Sequence, residues 1–362
     1  MKVCTIVGAR PQFIKAAVVS HELRKSHKEI LIHTGQHFDN NMSTVFFKEL
    51  DIPNPDYNLG ISGGTHAQMT GRMMMSIEEV LIGEKPDWVL IYGDTNSTLA
   101  AALSAAKLHI PICHVEAGIR VHSRTNPEEI NRKCADHLST LLLAATQCSM
   151  EEMSKENLID SAELVGDPMY DAFVKYNNRL KRDQVTLNSL IKEEMVTIPE
   201  DYYYLTCHRE ENTKDNIGLT EVFKAMESLD ACTIYPVHPR NHDRALRIHK
   251  RLGCKKIILV EPVGYLESLC LVDNAKKIVT DSGGVQREAF FAQKKCVTLL
   301  DMAAWPETMV DGRNELSNLE KDEILFRLNT PQLVDSTYQP FGDGHSADKI
   351  VDALERHMGE LS

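Results

Sequence analysis

The sequence predicts an α/β protein built on two parallel sheets with helices on both faces. Three observations carry that expectation. Short apolar, β-branched runs alternate with amphipathic stretches along most of the chain. Those runs are continuously apolar, as strands are when both faces of a sheet are buried. Ten of them occur over 362 residues, which suits two sheets better than one.

The first half supplies Lys2–Val7, Glu29–Thr34, Asp87–Tyr92, Ile110–Val115 and Leu141–Ala145. The second supplies Tyr202–Thr206, Thr233–Val237, Lys256–Leu259, Lys277–Thr280 and Cys296–Leu299. Helical patterns lie between strands, as in Gln68–Leu81, Thr98–Lys107 and Ile217–Ser228. Between Asp167 and Glu200 the rhythm lapses into a polar stretch rich in Lys and Asn, residues 175–192. A boundary there gives domains of residues 1–170 and 171–345. The last helix, Ser346–Met358, carries Ile350, Val351, Leu354 and Met358 on one face, but periodicity does not name its partner.

Composition narrows the function. Forty basic against 52 acidic residues, a net charge of −12, lack the basic footprint of a nucleic-acid surface. An anionic ligand would need a local cluster of Arg, Lys and backbone N–H groups. The nine cysteines are scattered, odd in number and never spaced C-x-x-C, so buried free thiols are expected, with no disulfide framework and no metal site. The N-terminus reads as a first strand broken by Gly-Ala-Arg-Pro, not as a signal peptide. No run approaches the ~18–20 apolar residues of a membrane span. A cytoplasmic protein with no membrane partner is expected.

In parallel sheets ligands bind beyond the carboxyl ends of strands. The first strand ends in Gly8-Ala9-Arg10-Pro11, with Lys15 about one turn into the next helix. Arg10 and Lys15 at a helix N-terminus suit phosphate or carboxylate, and an ordinary turn with solvated cations fits equally well. The strand ending at Tyr92 leads into Gly93-Asp94-Thr95-Asn96-Ser97, where Asp94 is either functional or a cap. The next ends in His114-Val115-Glu116-Ala117-Gly118, followed by Asn126-Pro127-Glu128-Glu129-Ile130-Asn131-Arg132. Pro127 starts a helix, and Glu128 and Glu129 in its first turn also complement the helix dipole. Singly, each carboxylate is more often structural. Together Asp94, Glu116 and Glu128 follow two strands that could be neighbours, and crowded carboxylates suit acid–base work.

The second half repeats the pattern. Tyr202–Thr206 runs into Cys207-His208-Arg209, and Thr233–Val237 into His238-Pro239-Arg240. Either histidine alone is as readily structural as functional. The strand around Val279 ends in Asp281-Ser282-Gly283-Gly284-Val285-Gln286-Arg287-Glu288, whose glycines let backbone N–H groups approach a diphosphate. This is neither a Walker loop nor the G-x-G-x-x-G fingerprint.

Taken in order, these motifs and the C-terminal Phe341-Gly342-Asp343-Gly344-His345-Ser346-Ala347 resemble the non-hydrolysing UDP-N-acetylglucosamine 2-epimerases over nearly the whole chain. The resemblance implies two Rossmann-like domains in a glycosyltransferase-B-like arrangement, an active site in the interdomain cleft, a final helix crossing back onto the first domain, and a homodimer. It implies a UDP-sugar substrate and no metal or cofactor. By matching positions, Ser282, Gly283 and Gly284 would hold the diphosphate and Glu288 the ribose. Arg10 and His208 would add charge and hydrogen bonds at the phosphates, Lys15 and His238 are further candidates for binding substrate, and Asp94, Glu116, Glu128 and His208 are the catalytic set. The implied chemistry interconverts UDP-GlcNAc and UDP-ManNAc by eliminating and re-adding UDP, for surface polysaccharide.

Two segments depart from that family. Where it commonly reads Arg-Asp-x-Thr-Glu, this chain has Leu300-Asp301-Met302-Ala303-Ala304. After Gln36-His37 it has Phe38-Asp39-Asn40-Asn41-Met42-Ser43 in place of glutamines linked to allosteric UDP-GlcNAc, so that site is not expected. The segments Gly64-Thr65-His66-Ala67-Gln68-Met69-Thr70-Gly71-Arg72 and Pro262-Val263-Gly264-Tyr265-Leu266-Glu267 are more similar to the branch acting on UDP-2,3-diacetamido-2,3-dideoxyglucuronate. Rival readings are a hydrolysing epimerase, a glycosyltransferase of the same architecture and a non-catalytic UDP-sugar sensor.

Overall fold

The computed structural model describes residues 1–36, 46–192 and 194–361. The segment 38–43 named above lies outside the described residues. The chain forms two compact units, Met1–Val174 with Gln339–Ser362, and Lys175–Tyr338.

The first unit holds seven parallel strands: β1 (Lys2–Val7), β2 (Lys28–His33), β3 (Tyr57–Asn58), β4 (Trp88–Tyr92), β5 (Ile112–Ala117), β6 (Leu141–Ala144) and β7 (Ala162–Leu164). Their order is β3-β2-β1-β4-β5-β6-β7. Val3 pairs with Trp88 across β1 and β4, and Val89 with Ile112 across β4 and β5. All of β4 and β5 is buried, so the apolar runs are covered on both faces. One face packs Ile6, Ile32, Val89 and Ile91 against Met73, Ile77, Leu81 and the alanines of helix Asn96–Lys107.

Strand β5 differs from the expected Ile110–Val115 by a shift of its window. Pro111 has no N–H to give a ladder, although its carbonyl accepts from Val89 N at 2.9 Å. Pairing therefore starts after the proline and runs on to Ala117, placing Glu116 inside the strand. Helix His66–Glu84 outruns the expected Gln68–Leu81 because Thr65 and Gln68 form a reciprocal capping box, with N–H to oxygen distances of 3.3 and 3.1 Å.

The C-terminal helix Ser346–Leu361 packs on helix Arg10–Leu23, with Ile350 and Leu354 fully buried. Glu355 meets His27 at 2.7 Å, His357 meets Glu163 at 2.9 Å, and Asp171 accepts from Ala347 N at 2.8 Å.

The second unit's main sheet comprises β10 (Tyr202–Thr206), β11 (Cys232–Pro236), β12 (Ile257–Val260), β13 (Ile278–Thr280), β14 (Cys296–Thr298) and β15 (Asn314–Leu316). All are parallel, in the order β12-β11-β10-β13-β14-β15. A small antiparallel pair, β8 (Leu187–Asn188) and β9 (Met195–Val196), stands apart. The period of two puts Tyr203 and Leu205 into a core with Phe223, Tyr235 and Ile324, and Tyr202 and Tyr204 into another with Ile234, Leu271 and Ile278. Each fully buried apolar side chain of this kind contributes about 1.5–3 kcal/mol. Five strands beyond the ten apolar runs, β3, β7, β8, β9 and β15, are two or three residues long and too short to make a periodic signal.

In both main sheets the order reverses beside the first strand of the unit's sheet, between β1 and β4 and between β10 and β13. Such switch points open a crevice at the carboxyl edge.

The return of the chain to the first unit depends on Gly166, at φ +93°, where an added Cβ would lie 2.7 Å from Ser346 Oγ and 3.0 Å from Phe341 O. Gly166→Ala should cost about 1–3 kcal/mol, from strain at positive φ. Chemical denaturation would measure it, and an unchanged midpoint would show that this crossing tolerates a side chain.

Candidate active site

The loops at the two switch points carry most of the residues singled out in the sequence. In the first unit, Gln12 stitches the tips of β1 and β4 together. Its Oε1 accepts from Gly8 N and Ala9 N at 2.8 and 3.0 Å, and its Nε2 donates to Tyr92 O at 2.8 Å. Lys15, one turn further, does not face solvent. It is 2 % exposed and forms an ion pair with Glu116, itself 7 % exposed. Gly93 covers this pair closely, since an added Cβ there would sit 3.4 Å from Lys15 Nζ and 3.6 Å from Glu116 Oε1.

Glu116 has φ +70°, in the left-handed region. The register of β5 against β6 shifts between Val115 and Ala117 around it, so Glu116 is the extra residue of a bulge. A non-glycine residue held there costs about 1–3 kcal/mol, and such strain gathers at functional sites.

Asp94, at the tip of β4, is held by helix Pro127–Leu138. Arg132 Nη2 lies 2.5 Å from Asp94 Oδ2, and Asn131 Nδ2 donates to Asp94 O at 2.8 Å. The two glutamates of the first turn separate clearly. Glu129 is 1 % exposed and accepts from Val121 N, His122 N and Arg132 at 3.0, 3.2 and 3.1 Å, so it fixes the preceding loop. Glu128 is half-buried and has no ion-pair or hydrogen-bond partner among the described residues. Arg10 stacks on Phe46, its guanidinium carbon 4.5 Å from the ring centre.

Beneath these groups lies a buried network that sequence reasoning missed. Asp136 takes His114 Nδ1 at 2.6 Å on one oxygen, and Arg120 Nη1 at 2.7 Å with Gly118 N at 3.2 Å on the other. His114 Nε2 donates to Gly93 O at 2.8 Å, and Arg120 pairs with Glu156 at 2.8 Å. Burial pushes the Asp136 carboxyl up, but His114 and Arg120 outweigh that and hold it below the ordinary aspartate range. The network therefore ties the residue before Asp94 to the turn after Glu116. A signal for it was present: Glu129, Arg132 and Asp136 recur at helical spacing where an apolar stripe would be expected, and all three are buried.

In the second unit, Asp281 opens the turn after β13. Its Oδ2 accepts from His208 N at 2.7 Å, Arg209 N at 2.8 Å and Asn212 Nδ2 at 3.3 Å, joining the tips of β10 and β13. Burial raises the Asp281 carboxyl, but His208 and the backbone N–H groups outweigh it, so it too lies below the ordinary range. The His208 ring stacks on His238, with centroids 5.7 Å apart and planes at 15°. Ser282 caps helix Gly283–Phe291, so the first N–H groups of Gly283 and Gly284 are left by the helix for another acceptor. Glu288 and Arg287 are buried in the same helix. The Arg287 guanidinium carbon lies 4.0 Å from the Trp305 ring centre, and Trp305 Nε1 would be 3.7 Å from a Cβ on Gly283.

All nine cysteines are free, six of them buried. Among the described residues no group of three or more His, Cys, Asp or Glu could hold a metal ion. No helix among them is long and apolar enough to cross a membrane.

A family model described as UDP-N-acetylglucosamine 2-epimerase matches residues 21–355. A UDP-N-acetylglucosamine 2-epimerase homolog from Methanococcus maripaludis is 45% identical over 98% of this chain and 99% of its own. A UDP-2,3-diacetamido-2,3-dideoxy-D-glucuronate 2-epimerase from Pseudomonas aeruginosa is 42% identical over 98% of this chain and 100% of its own. The crystal structure of a UDP-GlcNAc 2-epimerase from Methanocaldococcus jannaschii, in complex with UDP-GlcNAc and UDP, is 38% identical. It matches with a TM-score of 0.88 over 98% of this chain and 100% of that one.

Asp136→Asn leaves His114 and Arg120 buried beside a neutral partner and should cost about 3–5 kcal/mol at neutral pH. Because the folded carboxyl is depressed, its contribution is present above the unfolded aspartate range and lost as pH falls through the folded value. The stability gap between wild type and variant should therefore close in acid. Urea denaturation across pH would measure it, and a gap independent of pH would remove the charge from the account.

Proposed function

The chain belongs to the UDP-N-acetylglucosamine 2-epimerase family, and from that premise we propose that it inverts C2 of a UDP-2-acetamido sugar. The observation that carries this reading is the strained Glu116, ion-paired with Lys15 beside the tip that bears Asp94. Membership alone would not require a glutamate in that conformation.

The C2 proton of a hexosamine is not next to a carbonyl, so direct abstraction would leave an unstabilised carbanion. Elimination avoids this. A carboxylate takes the C2 proton, the C1–O bond breaks, its electron pair leaves with UDP, and a C1=C2 double bond forms. Protonation of C2 from the opposite face and return of the UDP oxygen to C1 complete the inversion. Two acid–base groups are needed, and Asp94, Glu116 and Glu128 are the carboxyl groups that would fill those roles. In this reading the second unit handles UDP. Ser282, Gly283 and Gly284 receive the diphosphate on backbone N–H groups, Glu288 takes the ribose hydroxyls, Arg10 adds positive charge, and His208 and His238 add donors. Lys15 acts through Glu116, not on phosphate. No metal or cofactor is needed for this scheme. We further propose a cytoplasmic homodimer that supplies an activated mannosamine-type sugar for surface polysaccharide.

The relative at 42% identity favours a second substrate, the UDP-2,3-diacetamido uronic acid. The two substrates share the reacting centre and differ at C3 and C6.

Incubation in heavy water with each nucleotide sugar should give deuterium at C2 and the C2 epimer, followed by NMR and mass spectrometry. Absence of exchange with both sugars would reject the reading, and the sugar that exchanges faster names the substrate. Asp94→Asn and Glu116→Gln should each lower kcat about 10²–10⁴-fold. UDP affinity, measured by calorimetry, should stay unchanged in both. Glu288→Ala should instead weaken UDP about tenfold or more, through loss of charge-assisted hydrogen bonds.

A further inference from the structure

We infer that Asp281 is a positioning residue that fixes the proton of His208 on Nδ1, so that Nε2 is the nitrogen that serves the leaving diphosphate. The inference rests on the epimerase reading for its consequence, but not for its geometry.

His208 is held at two levels. Its backbone N–H is pinned to Asp281 Oδ2 at 2.7 Å, and its ring Nδ1 lies 3.0 Å from Asp281 Oδ1. The ring contact is off the line of a good hydrogen bond, and Oδ1 has no well-aligned donor among the described residues. Asp281 is wholly buried, so an oxygen left in that state is costly. A small rotation of the imidazole supplies the missing bond, as apo contacts at catalytic sites often tighten on binding. An acceptor-only carboxylate can take this bond only from a protonated Nδ1.

The neighbouring ring is tethered in the opposite sense. His238 Nδ1 accepts the N–H of Arg240 at 3.2 Å, so its own proton belongs on Nε2. The stacked rings thus pair a His208 whose Nδ1 faces a carboxylate with a His238 whose Nδ1 is taken by a backbone N–H. The other groups facing His208 are consistent with this division. Arg209 is turned away into bonds with Asp281 O at 2.9 Å and Glu211 at 3.3 Å. The Cys207 thiol is pushed well up, first by burial and then by Asp281, so it stays neutral.

In the reaction, the imidazolium Nε2–H donates a charge-assisted hydrogen bond to the β-phosphate oxygen as the C1–O bond breaks. The same bond holds that oxygen until it returns to C1, so no net proton is consumed. Asp281→Asn would turn an amide N–H toward Nδ1, forcing the proton to Nε2 and removing the cationic form.

Long-range ¹⁵N NMR of the imidazoles, with UDP as the probe, tests the tautomer directly. His208 signals are assigned by their loss in His208→Asn. In the wild type Nδ1 should keep its proton as pH rises while Nε2 loses its own, and in Asp281→Asn the order should reverse. Turnover of Asp281→Asn should fall about 10²–10³-fold. The alkaline limb of the kcat profile should move to lower pH. A wild-type Nδ1 that loses its proton first would overturn the inference, and needs no variant. So would an Asp281→Asn enzyme with the wild-type alkaline limb. If neither sugar exchanges at C2, the epimerase reading fails, while the NMR result still decides the Asp281–His208 pair.

Discussion

Parallel strands all end at one edge, and the chain that leaves it carries backbone groups with no ladder left to pair in. A protein that wants charge at that edge must also bury some of it, and buried charge must be paired. Here one aspartate answers both demands in each unit. Asp136 reaches from a helix to the β4 and β5 tips, through His114 to Gly93 O and directly to Gly118 N. Asp281 binds the backbone of His208 and Arg209 and so ties β13 to β10. Asp281 bridges the switch point of its sheet, and Asp136 joins the two tips next to that of the other.

That scaffolding allows the exposed chemistry to be strained. Glu116 occupies a left-handed position that glycine would take without cost, yet the same bulge lets its carboxylate meet Lys15. A cost of about 1–3 kcal/mol is a sizeable fraction of the 5–15 kcal/mol by which domains are stable. It persists only because Gly118 and Gly93, on either side, are anchored through Asp136 and His114. The net charge of −12 makes such local pairing necessary, since a carboxylate cluster in an acidic protein gains nothing from the distant field.

What the sequence made legible was whatever depends on near neighbours. Buried strands are apolar by composition, Gly and Pro mark turns, and strand tips follow, so Asp94, Glu116, His208 and Ser282–Gly284 were found at the carboxyl edges. Register was harder: Pro111 moved β5 by removing one donor, and two-residue strands have no period to detect. Partners were the least accessible. Lys15 and Glu116 are a hundred residues apart in sequence, and nothing local says that this lysine meets a carboxylate and not a phosphate. The Gln12, Asp136 and Asp281 networks join positions that only strand order brings together. The helix Pro127–Leu138 is the exception, because its inward face is charged at helical spacing. Glu129 and Glu128 could not be ranked from sequence, since both suit a first turn. The structure separates them by burial and by the three donors on Glu129.

The segment Leu300-Asp301-Met302-Ala303-Ala304 finds its place in the same logic. The donors at Gly283 and Gly284 are backbone groups of the helix that Ser282 caps, and no side chain supplies them. The main chain beside the run is secured independently, by Asn212 Nδ2 on Leu299 O at 2.9 Å and by Leu300 N on Thr298 O at 2.9 Å. Positive charge near the turn comes from the helix, where Arg287 is buried against Trp305. A guanidinium on an aromatic face, in a place that water does not fill, acts more strongly than one on a solvated loop. The backbone donors at Gly283 and Gly284 and the stacked Arg287 thus stand on the helix and on Trp305, whatever the side chains of residues 300–304.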